Sequence, residues 1–548
     1  MEQNAQENLF KSVRSLFKIL KLDKKDISSI YFFAILGGLI ALTLPLGIQT
    51  IINFVTAGTL STSIVVLIII VVLGVFINGL VQVRQMQITE KVKQKIFTRY
   101  SLEFANKLPH LNIEKLDKYY LPELVNRYFD APSLIKSLEK ILLDVPAAII
   151  QIVFGLILLS FYHPIFIGFG LFLIVILVAI IKFTSPQGLA TSLKASDYKY
   201  AIASWLEEMA RVIKSFKYSK NTNLHLEKAD KLVTGYLDAR TSHFKILLTQ
   251  FWSLITFKII ITAAMLTVGS FLVIDNQINV GQFIAADIVI ISIMSSVEKL
   301  ISSLDKVYDT LTSIQKLSKV IDSDVEVSGT RELPNINKGV DVEFSKVSFG
   351  YDDKEVLKNV SFSVKAGQMV CLSGASGSGK SSVLRLLTGA FTNFSGSVLI
   401  DNVPIGNYSL KSLRSQTGIL LNQQDIFNGT LLENLTMGNT KISIDDVNIL
   451  SDRLNLKDFI KNYKGGYDAV LDTQGKKLNG NIRQEILLVR ALVGRHRLLL
   501  LENPFNNLEP KEIMSLTDYL QKENNATIII ISEDETVKKQ CDLVINLK

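Results

Sequence analysis

The sequence predicts an α-helical membrane domain of six spans followed by an α/β domain of the P-loop class. Three observations lead to this prediction. Hydrophobic residues make up 48% of the 548 residues, and the mean hydropathy of +0.30 is high for a soluble chain. The long apolar segments all precede residue 301, and a glycine-rich motif with P-loop spacing lies in the second half.

Six apolar segments are long enough to cross a hydrocarbon core, which takes about 20 helical residues. The predicted spans are Ile27–Val55, Ser61–Val81, Leu142–Tyr162, Pro164–Phe183, Leu248–Ile274 and Val280–Leu300. Short turns without Lys or Arg join the spans into pairs, whereas the connections Gln82–Ile141 and Thr184–Leu247 are long and rich in both residues. A soluble bundle of buried helices is the alternative, but it does not explain the pairing or the charge-free turns.

The distribution of positive charge predicts the orientation of these spans. The net charge of +8 alone would suggest a nucleic-acid partner. The Lys and Arg residues instead concentrate in the long connections, which the positive-inside rule places in the cytosol together with both termini. We therefore expect a multi-pass membrane protein with lipid, and not nucleic acid, as its surroundings.

Residues 1–26 predict an amphipathic helix on the membrane surface, which would precede a membrane domain over residues 27–321. The apolar positions recur at helical spacing: Leu9, Phe10, Val13, Leu16, Phe17 and Leu20. Most of the cations fall between them: Lys11, Arg14, Lys18 and Lys21. This pattern is typical of a helix that lies on an anionic leaflet.

The long connections contain two predicted turning points. Leu108-Pro109 and Leu121-Pro122 bracket the short segment Leu111–Tyr120, and a second break lies near Lys220–Asn223. Both tips are candidates for coupling helices that press on the second domain, and ordinary helical hairpin turns are the alternative.

Three charged residues lie in or near the last two spans: Lys258, Asp287 and Glu298. A charge at mid-bilayer costs roughly 3 kcal/mol, so each should be paired or face water. Counting from the turn near Gln277, Lys258 is level with Glu298. Structural pairing is one interpretation, and a polar substrate path is the other.

A linker is predicted at residues 322–340, and the second domain at 341–548. Strands are predicted at Val342–Phe349, Leu357–Val364 and Met369–Leu372. The segment Gly374-Ala375-Ser376-Gly377-Ser378-Gly379-Lys380-Ser381, with Ser382 next, fits the spacing GxxxxGK[ST] between a strand and a predicted helix at Ser381–Leu387. Its backbone amides and Lys380 would bind phosphates, and Ser381 would ligate Mg²⁺. A loop that no longer binds nucleotide is the alternative.

Several further motifs resemble the ABC-transporter family along nearly the whole chain. These are Val347–Tyr351, Leu413–Gln416, Phe427–Thr430 with Glu433-Asn434, and Arg490–Leu492. The membrane half resembles type I exporters, in which two chains each supply six spans and one nucleotide domain. The resemblance implies ATP and Mg²⁺ as ligands, with Tyr351 stacking on adenine.

Two segments, Leu44–Gln49 and Val307–Thr312, look like the peptide and protein secretion branch of that family. This finer resemblance implies a bacterial plasma (inner) membrane location. It also implies a periplasmic adaptor and an outer-membrane channel as possible partners.

The positions that carry hydrolysis in the family depart from its pattern. The Q-loop glutamine position holds Asn422, the Walker B aspartate position Glu502, the catalytic glutamate position Asn503 and the switch histidine position Glu533. The signature LSGGQ reads Leu478-Asn479-Gly480-Asn481-Ile482. Gln423 and Gln424 could replace Asn422 only with a register shift.

These departures matter because the amide of Asn503 cannot accept a proton from water, and losing a general base costs roughly 10²–10⁴ in rate. The sequence therefore predicts ATP binding with weak or absent hydrolysis, so that no catalytic residue is assigned. A homodimer is the favoured assembly. The inactive half of a heterodimer and an ordinary ATP-hydrolysing exporter stay open as alternatives.

Overall fold

The computed structural model describes residues 2–58, 62–112, 114, 121–219, 222–351, 354–422, 424–522 and 525–547. The chain divides into two compact units. The first comprises Met1–Leu111 and Lys118–Asp324, and the second comprises Asn112–Asp117 and Val325–Lys548.

The first unit is helical. Its helices are α1 (Glu2–Leu22), α2 (Lys24–Ala41), α3 (Thr43–Thr56), α4 (Thr62–Lys107), α5 (Leu121–Asn126), α6 (Asp130–Tyr162), α7 (Ile165–Arg211), α8 (Ile213–Tyr218), α9 (Leu224–Ile274) and α10 (Val280–Ile321). Within the described residues, six helical segments are long and apolar enough to cross a membrane, as predicted. Several continue far beyond the predicted spans; α9, for example, has 51 residues.

The first predicted span, Ile27–Val55, is confirmed as a candidate membrane span and consists of two consecutive helices. Helix α2 ends at Ala41 and α3 begins at Thr43. Pro45 lies in the first turn of α3, where the missing amide hydrogen of proline removes no helical hydrogen bond. The hydropathy of this segment is continuous, so the sequence pattern did not reveal the break.

The membrane helices pack in pairs around an apolar core. Helix α10 runs along α6, and α9 runs along α7. At one edge of this packing the Lys258 ammonium donates a hydrogen bond to the Glu298 carboxylate, which supports the structural interpretation of that pair. Of the predicted coupling segments, residues 113, 115–120, 220 and 221 lie outside the described part of the chain.

The second unit contains two main sheets. Its strands are β1 (Val342–Tyr351), β2 (Lys354–Val364), β3 (Met369–Gly374), β4 (Ser395–Ile400), β5 (Val403–Pro404), β6 (Thr417–Leu420), β7 (Gly429–Thr430), β8 (Val470–Leu471), β9 (Leu498–Glu502), β10 (Thr527–Ile531) and β11 (Leu543–Leu547). A parallel sheet has the order β11-β3-β10-β9-β6, and an antiparallel sheet has the order β2-β1-β4-β5. Ligands of open parallel sheets bind beyond the carboxyl ends of the strands, where the glycine-rich loop follows β3.

Helices cover the parallel sheet. They are α11 (Lys380–Leu387), α12 (Leu410–Ser415), α13 (Leu431–Thr436), α14 (Ile444–Arg453), α15 (Leu456–Asn462), α16 (Gly480–Leu492), α17 (Pro510–Lys522) and α18 (Glu535–Gln540). Strands β9 and β10 are buried along their full length, as expected for a parallel sheet covered on both faces.

The predicted linker forms neither helix nor strand but is attached to the second unit. Glu326 accepts two hydrogen bonds from the Arg414 guanidinium, at 2.6 and 2.7 Å. The Arg331 backbone pairs with Tyr408. A bidentate pair of this kind fixes geometry well, so this segment continues the domain surface from Val325 onward.

Candidate nucleotide site

The glycine-rich loop after β3 has the backbone that its glycines allow. Gly374, Gly377 and Gly379 have φ values of 144°, 86° and 89°, which side-chain-bearing residues rarely adopt. A Cβ on Gly374 would also lie 2.3 Å from the Leu547 carbonyl oxygen, whereas a Cβ on Gly377 would face open space. A Cβ on Gly379 would lie 2.3 Å from a Leu357 methyl carbon. The loop is therefore shaped by chain packing at both ends and open to a ligand in its middle, at Gly377.

Lys380 lies at the first turn of α11 and turns back over the loop. Its ammonium donates to the carbonyl oxygens of Gly374 and Ala375 and lies 3.1 Å from a Glu533 carboxylate oxygen. The hydrogen bond from Lys380 holds the pKa of Glu533 below its ordinary value. A carboxylate at this place would repel a phosphate, and it would also compete with a phosphate for Lys380.

Ser381 and Glu502 form the second contact of the site. The Ser381 hydroxyl donates to the Glu502 carboxylate at 2.5 Å, and the other carboxylate oxygen accepts from the Asn422 backbone amide at 3.0 Å. Glu502 is buried, at 6% exposure. The glutamate, which is one methylene group longer than aspartate, therefore reaches the loop serine directly.

This oxygen pair fits Mg²⁺, which prefers hard oxygen ligands and is held in proteins by one or two carboxylates together with phosphates. Ser381 and Glu502 would hold the ion, which would neutralise phosphate charge when bound. The buried Ser378 hydroxyl has no partner among the described residues, so a polar group of a ligand would satisfy it.

Tyr351 ends β1 close to helix α11. Its hydroxyl lies 3.4 Å from the Ser382 hydroxyl and accepts a hydrogen bond from Arg385 at 3.2 Å. The half-buried ring packs edge-on against Phe349 and Phe391. The structure therefore places the predicted adenine-stacking ring beside the glycine-rich loop. Ser376 lies within that loop and is exposed.

The signature-like segment forms the start of helix α16. The Asn479 side chain accepts from the Ile482 backbone amide at 2.8 Å, which makes it the N-cap of the helix. Asn479 and Gly480 are exposed, whereas Leu478 packs against the core of the second unit. Asparagine and serine cap helices comparably well, so Asn479 retains the local structure. Asn481 lies in the first helical turn.

Asn503 follows β9 in the left-handed conformation, with φ of 50°. Its backbone N–H donates a hydrogen bond to the Ile531 carbonyl oxygen at 3.0 Å. The Gln484 side chain donates to the carbonyl oxygens of Asn503 and Pro504 at 3.3 and 3.0 Å. Gln484 was not predicted from the sequence, although its place two residues after Ile482 on the same helix was a usable signal.

The two glutamines next to Asn422 were the alternatives for the Q-loop position. Gln423 lies outside the described residues, and the Gln424 side chain accepts a long hydrogen bond from the Leu421 backbone amide at 3.4 Å.

Glu485 is a second residue that the sequence did not reveal. It is 3% exposed, and one carboxylate oxygen has no partner among the described residues. Burial, and then the negative charges of Glu512 and Glu509, raise the pKa of Glu485 to about 7. An acid of this kind gives stability that is fully present below the unfolded pKa and is lost as the pH rises through 7.

Glu485→Gln is therefore expected to stabilise the second unit at pH 8 by about 3 kcal/mol, as follows from the size of the pKa shift, and to have little effect at pH 4. Both cysteines, Cys371 and Cys541, lie in this unit. Melting of the purified protein can therefore be followed with a thiol-reactive dye. The exposed Glu343→Gln, which does not contribute to the raised pKa of Glu485, is the matched control, and equal melting shifts for both variants at pH 8 would contradict the prediction.

Comparison with known proteins assigns both parts of the chain. Residues 27–297 match the model of the ABC transporter transmembrane region, and residues 357–506 match that of the ABC transporter domain. The ATP-dependent lipid A-core flippase of Syntrophus aciditrophicus is 29% identical over 291 residues, which cover 52% of this chain and 48% of the flippase. The alpha-hemolysin translocation ATP-binding protein HlyB of Escherichia coli O157:H7 is 27% identical over 349 residues, which cover 62% of this chain and 49% of HlyB.

The matched part of the chain thus spans about half the length of these curated relatives. Among solved structures, a bacterial Atm1-family ABC exporter with ATP bound superposes with a TM-score of 0.86. The match covers 96% of this chain and 93% of the exporter at 20% sequence identity, and it establishes the fold.

Proposed function

Because this chain belongs to the ABC transporter family and has the type I exporter architecture of one half-transporter, we propose that it binds Mg-ATP but hydrolyses it weakly or not at all. The observation that carries the proposal is the pairing of Lys380 with Glu533 at 3.1 Å. A carboxylate at this place disfavours the γ-phosphate and offers it no proton-bearing partner at neutral pH.

The absence of a suitable base supports the same conclusion. The side chain at the end of β9 is the uncharged amide of Asn503, so it cannot accept a proton from an attacking water. Glu502, the carboxylate beside it in sequence, is already bonded to Ser381 and to the Asn422 amide. Glu502 therefore suits a metal ligand better than a base.

An ordinary ATP-hydrolysing exporter of peptides or proteins is the second candidate. It is favoured by the retained geometry at two positions: Glu502 meets the loop serine, and Asn479 caps the signature-like helix. In that case Glu502 would have to serve the reaction without the usual neighbouring glutamate.

Measurement of ATP binding and turnover on the same lipid-reconstituted sample separates the two candidates. We expect ATP binding at millimolar nucleotide or below and phosphate release near background. An absence of ATP binding would refute the binding part of the proposal. A turnover near 10 s⁻¹, which is typical of enzymes, would establish the second candidate instead.

The architecture of a half-transporter implies a dimer, and we propose a homodimer. In a heterodimer with a competent partner, the altered segment Leu478–Ile482 would face the partner's nucleotide, which argues against the usual arrangement. Co-purification of a second, different ABC chain would establish the heterodimer.

The named relatives suggest the kind of substrate. One is described as a lipid A-core flippase and the other as a hemolysin translocation protein, so export of a peptide, protein or lipid is proposed. The likeness to HlyB favours the secretion branch. A periplasmic adaptor and an outer-membrane channel are therefore proposed as further partners.

We also propose a bacterial plasma-membrane location with both termini in the cytosol. The basis is the asymmetry of Lys and Arg between short and long connections. In a cysteine-free background, a cysteine at the exposed Asp275 should react with an impermeant maleimide applied to intact cells. A cysteine at the exposed Asn106 should react only after the membrane is opened. Reversed labelling would refute this topology.

A further inference from the structure

The first unit contains a polar cavity that the nucleotide site does not use. It measures about 450 Å³ and lies among helices α6, α7, α9 and α10. Each of these helices continues beyond its predicted span, and the cavity is lined from those extensions. In a helical bundle the surfaces between neighbours are normally apolar, so a polar lining at this place calls for a different explanation.

The lining carries an excess of positive charge. Five cations and two carboxylates line the cavity. Lys199 pairs with Asp130 at 2.9 Å, and Lys306 pairs with Asp309 at 2.8 Å. The other three cations are Lys136, Lys140 and Arg240, for which no ion pair occurs among the described residues. All three are exposed, so they can meet an incoming anion.

The sequence brings these cations and several hydroxyl groups to one place by helical spacing. Ser133, Lys136, Ser137 and Lys140 recur at three- and four-residue intervals, which puts them on one face of α6. On α7, Ser192, Ser196 and Lys199 do the same.

Two of the hydroxyl groups in the lining differ in their hydrogen bonding. The Ser192 hydroxyl lies 2.9 Å from the Thr312 hydroxyl of α10. The buried Ser196 hydroxyl has no partner in the described part of the chain. The cavity therefore contains an unsatisfied buried hydroxyl as well as three uncompensated cations.

We propose that this cavity is a binding site for a phosphate-bearing ligand. A phosphate group carries roughly −1.5 to −2 charges and three strong acceptor oxygens, which matches three cations better than a single carboxylate would. Arg240 suits bidentate contact with phosphate, Lys136 and Lys140 supply point charges, and the Ser196 hydroxyl donates a hydrogen bond. The volume suits a small phosphorylated molecule or the head group of a lipid.

The position of Lys140 indicates that the phosphate could belong to a lipid head group, so the experiment includes a measurement with anionic lipid. This residue lies just before the predicted span that begins at Leu142, and lysines at the ends of spans reach the head-group region. A soluble phosphorylated compound would reach the same cations from the aqueous side.

The test uses full-length protein carrying Lys380→Ala, which removes the main phosphate contact of the glycine-rich loop. Pyrophosphate binding is measured by calorimetry in nanodiscs of neutral lipid. The triple variant Lys136→Gln, Lys140→Gln and Arg240→Gln is expected to weaken binding at least tenfold. Arg240→Lys, which keeps the charge, should weaken it less than the loss of all three cations does.

The matched control removes three exposed cations from α7 and α9 that do not line the cavity: Lys194→Gln, Lys231→Gln and Lys245→Gln. An equal loss of pyrophosphate binding in the two triple variants, or no pyrophosphate binding before they are introduced, would overturn the proposal. Repeating the measurement with anionic phospholipid in the nanodiscs identifies the source. Competition by the lipid supports a head-group ligand, and unchanged binding supports a soluble one.

Discussion

Lys380→Ala is expected to weaken ATP binding on the order of 100-fold, because hydrogen bonds to charged groups contribute up to about 3 kcal/mol. In the structure the Lys380 ammonium lies directly over the loop and contacts two of its carbonyl oxygens. No other lysine or arginine belongs to the loop Gly374–Ser381; the nearby Lys538 lies 3.6 Å from the other Glu533 carboxylate oxygen. Binding of a fluorescent ATP analogue to the purified protein, with and without unlabelled ATP, measures the effect.

Glu533→Gln is the control variant, and it is expected to change the affinity for ATP in the opposite direction. A Glu533 carboxylate oxygen lies 3.1 Å from the Lys380 ammonium, and the Glu533 side chain is largely exposed. An exposed ion pair contributes up to about 1 kcal/mol. Its removal frees the lysine for phosphate and should tighten ATP binding about fivefold. Weaker binding by Glu533→Gln would mean that the carboxylate supports the nucleotide site and does not compete with phosphate.

The apolar spans and the second-unit strands were predictable from sequence for a simple physical reason. Their side chains are apolar because transfer out of water stabilises the folded state, and the spacing of these apolar residues is visible along the chain. Strands β1, β2 and β3 cover the ranges predicted for them, Val342–Phe349, Leu357–Val364 and Met369–Leu372. The break after Ala41 leaves no such trace, because Leu42 and its neighbours are as apolar as the rest of the span.

The contacts within the site were less accessible to sequence reasoning. Lys380 and Glu533 are far apart in the chain and meet because β3 and β10 are neighbours in the sheet. A single sequence does not fix that strand order. The same holds for Gln484 on the Asn503 carbonyl oxygen and for the cavity among α6, α7, α9 and α10. In each case the residue types were visible in the sequence, but their proximity depends on tertiary packing.

The geometry of Glu502 explains why no single reversion should restore hydrolysis. Glu502 bonds directly to Ser381, at 2.5 Å, so the two side chains must move apart to admit a metal ion between them. Aspartate is shorter by one carbon–carbon bond of about 1.5 Å and would leave room for a metal ion, with ligand distances of about 2.1 Å, without that movement. Asn503→Glu alone leaves this contact and Glu533 unchanged. It also puts glutamate in a left-handed backbone conformation, which costs roughly 1 kcal/mol or more.

Combined reversion is therefore expected to raise ATP turnover at least about 100-fold above the wild-type level, the lower end of the contribution of a positioned general base. The seven changes are Asn422→Gln, Asn479→Ser, Asn481→Gly, Ile482→Gln, Glu502→Asp, Asn503→Glu and Glu533→His. Residues that act as one catalytic unit are strongly non-additive, so the combination should exceed the product of the single effects. Phosphate release from lipid-reconstituted protein measures the turnover.

Adding Lys380→Ala to the seven changes should return turnover to background, which distinguishes restored catalysis at this site from a contaminating ATPase. Asn479→Ser within the set keeps an N-cap on α16, so loss of that helix is not expected to mask a gain. Wild-type turnover near 10 s⁻¹ that Lys380→Ala abolishes would contradict the prediction. Hydrolysis would then proceed without a carboxylate at position 503, and Glu502, the one carboxylate bonded directly to Ser381 in the described structure, would be the first residue to test for that role.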